Sequence, residues 1–240
     1  MSQFAASLEA AHALDVDALA ASIRRIGFAC TDCGACCRAP SEDDEHTAVL
    51  FPGEIREIQD ETSADWAEIA QPMPFGLDEN GAGVTFEWAL QTTDCGDCSF
   101  YAETGDEGGC TIYRDRPLIC QTYPFTVDLL RPSDASGDAV EVDGDVLAFE
   151  CEGLGRSISW ADARALARTL KERAIIETTE AIAVQNAYRP APPDVTTVVH
   201  DSDGRKRPDG TSLDDYPVPE HDRDETKRSA SGHEHINDQT

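Results

Sequence analysis

From Ser7 to Ile26 the apolar residues Leu8, Ala11, Leu19, Ile23 and Ile26 recur near helical spacing. The pattern predicts one or two short helices, with Asp15 or Asp17 able to cap a restart. Thr47 to Phe51 is a brief apolar run, after which Pro52-Gly53-Glu54 opens a helix that turns Ile55 and Ile58 inward. The stretch "VTFEWAL" at 84–90 predicts a strand, and Val146 to Cys151 a second one. Ser159-Trp160-Ala161-Asp162 is a capping-box-like start to the clearest helix, which runs to about Tyr188. Its stripe of Ala163, Leu166, Leu170, Ala174, Ile175, Ala181 and Ile182 has a polar gap around Thr178.

Between these elements the apolar signal fades. Residues 95–125 are crowded with Gly, Asp and Cys and hold only brief apolar runs at 110–113 and 118–120, so their order is expected to come from something other than core packing. "SEDDEH" and residues 133–145 read as loops. Past Pro190 the chain is rich in Pro, Asp and Ser without an amphipathic period, which predicts disorder. His233 and His235 fall there and read as solvated tail rather than as metal ligands.

Composition narrows the setting. The 240 residues, 40% of them hydrophobic, suit one domain and a tail. A formal charge of -28 argues against nucleic acid and anionic membranes as partners. Lys stands only at 171, 206 and 227, and the excess of hydrated carboxylates predicts a halophilic protein, adapted to a salt-rich cytoplasm. The first residues lack a basic flank followed by an apolar run, and no stretch is long and apolar enough to span a bilayer, so the expected setting is soluble and cytoplasmic. In a reducing compartment nine cysteines suggest metal ligands or redox groups rather than disulfides.

Their spacing carries the chemistry. Cys-x2-Cys, which aims two sulfurs at one point, occurs at Cys30/Cys33, Cys33/Cys36 and Cys95/Cys98, with Gly34 and Gly96 permitting the turns. Cys36 and Cys37 are adjacent and point apart, which suits two metals, or one metal and its surroundings. Cys110, Cys120 and Cys151 are isolated, each beside turn residues. Nine thiols suffice for two four-ligand sites with one over, and spacing alone leaves zinc and iron-sulfur both open. A radical-type Cys-x3-Cys-x2-Cys run from Cys33 and Cys37 fails at Pro40. Arg114 and Arg116 are placed to offset thiolate charge from outside the ligand shell, or else form a surface pair with Asp115. A catalytic thiol lacks a base, since no His lies within a cysteine motif and His46 is the nearest.

The ordered series "CTDCGACC", "CSFY", "CTIYRDRPLICQTYPF" and "CEGLG" resembles the CxxCxxCC family, the zinc- or iron-chelating domain also called the YkgJ family of cysteine cluster proteins. The resemblance covers about residues 28–155. It implies Cys30, Cys33, Cys36, Cys37, Cys98, Cys110, Cys120 and Cys151 as ligands, with Cys95 outside the family's pattern. The motif is also similar to part of the flagellin lysine methylases, which implies an iron-sulfur cluster, 4Fe-4S in type, ahead of zinc.

The resulting expectation is an α+β, small, irregular, helix-rich unit organised around a cysteine-ligated metal centre. An N-terminal helical segment (1–27) precedes the cysteine-cluster domain (28–155), a C-terminal helix (156–189) packs on it, and a disordered acidic tail (190–240) follows. The function expected is metal chelation by a protein with a possible protein partner. Two other classes are a redox or methylase-like group-transfer enzyme using the cluster on a partner protein, and a zinc-stapled interaction module. Catalytic residues cannot be named from the sequence.

Overall fold

The N-terminal pattern forms two helices, α1 (Gln3–Ala13) and α2 (Val16–Ile26), in the computed structural model, which describes residues 3–39, 46–104, 107–129 and 139–215. Asp15 caps α2, its carboxylate accepting from the Ala18 amide at 2.8 Å. Gly27 ends α2 at φ 80°, and a Cβ there would stand 2.7 Å from the Arg156 carbonyl oxygen, so the chain can leave this helix only through glycine.

The next segment builds the first core. Strand β1 (Val49–Leu50) leads into α3 (Pro52–Thr62), a short helix α4 (Trp66–Ile69) and strand β2 (Ala70–Pro72). The expected strand at 84–90 is two strands, β3 (Gly83–Thr85) and β4 (Trp88–Leu90), broken at Phe86-Glu87 because each half pairs with a different sheet. Strand β4 sits between β1 and β2, antiparallel to both, and all three of its residues are buried, so it shows no alternation to read. Trp88 and Leu90 of this strand pack in one cluster with Leu50, Ile55, Ile58, Ile69 and Val199.

Strands β5 (Tyr101–Thr104) and β6 (Glu107–Cys110) form a hairpin, followed by the five-residue helix α5 (Leu118–Thr122). Strands β7 (Phe125–Val127), β8 (Glu141–Asp143) and β9 (Val146–Ala148) make an antiparallel sheet with β9 central. Helix α6 (Trp160–Ala187) starts where the capping signal placed it, the Ser159 hydroxyl accepting from the Asp162 amide at 3.1 Å. It packs with α2 and this sheet over a second core of Leu19, Ile23, Phe125, Val146, Ala163 and Leu170. Thr178, read as a polar gap, is on the buried face. Its hydroxyl donates back to the Ala174 carbonyl at 2.8 Å, which makes a polar residue tolerable there.

The expectation of disorder from residue 190 fails for residues 190–215. Strand β10 (Thr197–Asp201) pairs parallel to β3 and antiparallel to β11 (Gly204–Lys206). Arg205 is 1% exposed, with its guanidinium donating to the Pro190 carbonyl at 2.9 Å and the Leu213 carbonyl at 3.0 Å. Lys206 lies between Asp201 (3.0 Å) and Asp203 (2.9 Å). Polar composition misled here because these polar groups are paired internally rather than solvated. Residues 216–240, including His233 and His235, lie outside the described residues. The described residues thus form a mixed α+β fold of six α-helices and four small sheets, with more strand than expected. Among them no helix is long and apolar enough to cross a membrane.

Candidate metal centre

The octet Cys30–Cys37 is a loop held by backbone on both flanks. Phe28 bridges Leu154, the Ala29 amide donates to the Gly153 carbonyl at 3.0 Å, and the Gly155 amide donates to the Gly27 carbonyl at 3.1 Å. Residues 151–155 are thereby laid along the loop's entrance, which carries Cys151 to it. The loop then turns through two left-handed residues, Asp32 (φ 54°) and Gly34 (φ 69°), into a 3-10 turn over Ala35–Cys37. A Cβ on Gly34 would stand 2.5 Å from the Tyr101 ring, so the loop sits tight against β5.

Further bonds tie the loop to the second cysteine group. The Cys98 amide donates to the Cys37 carbonyl at 2.9 Å, and the His46 amide donates to the Gly96 carbonyl at 2.8 Å. His46 is buried, and its Nε2 bonds the Cys36 carbonyl at 3.0 Å. Arg38 donates to the Cys33 carbonyl (3.1 Å) and to the Tyr101 hydroxyl (3.0 Å). Cys110 closes the hairpin opposite Tyr101. Cys120 rides on α5, whose Leu118 amide donates to the Glu54 carboxylate at 2.7 Å while the Phe51 amide donates to its other oxygen at 3.0 Å. Cys98 is buried in the first core, and Cys37, Cys110 and Cys120 pack against it.

The electrostatics show a shared neighbourhood. The charge of Cys36 acts on Cys30, Cys37, Cys98, Cys110, Cys120 and Cys151, raising the pKa of each, and Cys33 acts in the same way on Cys151. Burial is the larger cause for Cys98, pushed up to about 11, and for Cys120, pushed up to about 12. Cys36 itself is held below the ordinary thiol range, first by a hydrogen bond from the Cys37 thiol and also by Arg116, so the two neighbouring sulfurs meet rather than point apart as expected, because Ala35–Cys37 is a 3-10 turn and not an extended segment. Cys37 is driven up in return. Opposing the burial, the amide two residues ahead bonds the sulfur at Cys30, Cys98, Cys110 and Cys151, the donors being Asp32, Phe100, Ile112 and Gly153. Such amides favour a thiolate and leave its remaining lone pairs for a metal.

Eight of the nine thiols therefore fall into this neighbourhood through contact, backbone tether or mutual charge. Cys95 does not: it is exposed, and its sulfur bonds the Thr93 hydroxyl at 3.0 Å. Arg116 favours the thiolate at Cys36, Cys110 and Cys120 and stacks on the Tyr113 ring at 3.8 Å, whereas Arg114 is exposed. Tyr123 has its pKa raised by burial and by the charges of Cys151, Cys36 and Cys33, and its hydroxyl donates to the Glu150 carbonyl at 2.5 Å. Among the described residues no three His, Cys, Asp or Glu side chains stand close enough to share a single ion. Glu54, Tyr101 and Tyr123 position or surround the thiols without any sequence signal, because each acts across a long sequence separation, whereas His46, the histidine nearest the cysteine motif in sequence, binds a backbone carbonyl only ten residues away. The "YPF" and "PGE" contexts of Tyr123 and Glu54 read only as turn and helix start.

A donor set made wholly of thiols, supported by amides and one guanidinium, fits a soft metal or an iron-sulfur cluster and no hard cation. Residues 29–146 match the model of the CxxCxxCC family, described as a "putative zinc- or iron-chelating domain". They belong to that family. The match takes in seven of the converging thiols and Cys95, while Cys151 lies past its end and joins the site only through the fold. No curated protein and no solved structure gives a significant match to the chain.

Proposed function

We propose that this CxxCxxCC protein holds an iron-sulfur cluster, 4Fe-4S in type, through thiols drawn from Cys30, Cys33, Cys36, Cys37, Cys98, Cys110, Cys120 and Cys151. The observation that carries the reading is the gathering of thiols around Cys36 from well-separated segments, with no three of the thiols, among the described residues, meeting at the spacing of one ion. A tetrahedral zinc with bonds of about 2.3 Å draws its sulfurs to within about 3.8 Å of one another. A cluster of several irons presents its ligand positions further apart and accepts a wider ring of thiols. When bound, such a cluster supplies one-electron chemistry. The chain's own part is to bury Cys98 and Cys120, to aim amides at the sulfurs and to lower the negative charge through Arg116.

The test is anaerobic purification followed by iron, zinc and acid-labile sulfide analysis with a visible spectrum. Stoichiometric iron and sulfide with broad visible absorbance support the cluster. A colourless protein with stoichiometric zinc keeps chelation and rejects the cluster, and the lack of either metal rejects both.

A further inference from the structure

Away from the thiols, a half-open groove of about 540 Å³ runs between the C-terminal half of α6 and the segments around β1, Phe86 and β10. That volume is in the range of small-molecule sites. Its walls are mainly apolar, with Phe51, Phe86, Val184 and Tyr188 among them. Phe86 and Tyr188 are half-exposed, 50% and 52%, yet both are fixed against the ring of His200, which is 1% exposed, at centroid distances of 5.4 and 4.9 Å. They therefore present two rigid aromatic faces to the groove.

The polar part of the lining has one sign. Glu87, Glu177, Glu180 and Asp201 contribute carboxylates, and among the described residues no Lys, Arg or His lines the groove. Asp201 is compensated by Trp88 Nε1 (2.8 Å) and Lys206 (3.0 Å), and Glu177 by Arg173 (2.6 Å). Glu87 and Glu180 have no side-chain partner among the described residues. Desolvation and then the Glu177 charge push the Glu87 carboxyl up, a crowding that a positive ligand would relieve.

We propose that this groove binds a small organic cation with an apolar body, its hydrocarbon part on Phe86, Tyr188 and Val184 and its ammonium group meeting Glu87 and Glu180. Aromatic faces beside unpaired carboxylates favour an ammonium over a neutral group of the same shape. The site is separate from the thiols and does not depend on which metal they hold.

The test is calorimetric titration of the full chain with three probes of one shape: 2-naphthylmethylammonium, neutral 2-naphthylmethanol and anionic 2-naphthoate. The cation should bind about tenfold or more tighter than the alcohol, with the carboxylate weakest. The double variant Glu87→Gln/Glu180→Gln should lose that preference while keeping alcohol binding, and Val184→Trp, with its fold checked by circular dichroism, should lose both. Equal binding of the three probes, or no binding of the cation up to millimolar concentration, overturns the proposal. So does a cation preference that survives in the double variant and fades with salt, since the general field of the -28 charge then explains it. Undiminished binding in Val184→Trp places the site elsewhere.

Discussion

Replacing Glu54 by Ala tests whether the protein scaffold, and not the thiols alone, sets the metal centre. The carboxylate bridges α3 to α5, accepting from Phe51 and Leu118 amides at 3.0 and 2.7 Å. Hydrogen bonds to a charged group contribute about 1.5–3 kcal/mol each, so the two together offer about 3–6 kcal/mol. Burial, which pushes the Glu54 carboxyl up, already consumes part of this, and the net loss expected in Glu54→Ala is about 3 kcal/mol. Helix α5 is too short to be stable alone, so its first turn and Cys120 should lose their position along with the acceptor. Metal affinity should fall about 10- to 100-fold, the usual effect of removing a partner outside the ligand shell. Glu54→Gln, which keeps one acceptor, should show about half the stability loss. Urea midpoints without metal and chelator competition with metal measure the two effects. Stability within about 0.5 kcal/mol of the parent and unchanged affinity in Glu54→Ala would refute the reasoning.

Gly34→Ala should lower metal-free stability by about 1–3 kcal/mol and weaken metal binding, because φ 69° and a Cβ 2.5 Å from the Tyr101 ring force the loop to shift; urea titration and metal content check this. Cys95→Ser should leave metal content and spectrum unchanged, whereas Cys36→Ser, at the centre of the thiol field, should lower both; equal behaviour of the two variants would contradict the placement. The metal-free protein should lose stability as pH rises above about 9, where unfolded thiols ionise while burial keeps Cys98 and Cys120 protonated to about 11 and 12. Above that pH the unfolded state binds fewer protons, so the slope of unfolding free energy is negative until the folded thiols ionise too. Urea midpoints across this window, with and without chelator, should show the fall only in the metal-free protein.

The parts of the fold legible in the sequence are those governed by local chemistry. Asp15 and Ser159 cap where their side chains predict, and Pro52 opens α3. Strand β10 escaped because its buried run has no alternation and its neighbours Arg205 and Lys206 look solvated until their internal partners are known. For the site, spacing marked only Cys30, Cys33, Cys36, Cys95 and Cys98, and it was the family resemblance that added Cys37, Cys110, Cys120 and Cys151 and set Cys95 apart. What spacing did not contain is the order of assembly in space. The Gly27–Gly155 contact brings in Cys151, Glu54 sets α5, and His46 holds the Cys36 carbonyl. The first two join residues remote in sequence, where no local pattern reports them, and the third spans ten residues without a motif of its own.

X-ray absorption at the metal edge of the anaerobically purified protein tests the central claim most directly. A first shell made of sulfur alone, at about 2.3 Å, with a further iron neighbour behind it, is the result predicted for thiols gathered around a cluster. A first shell containing nitrogen or oxygen, or a metal that Cys36→Ser leaves in place and unaltered, would contradict it.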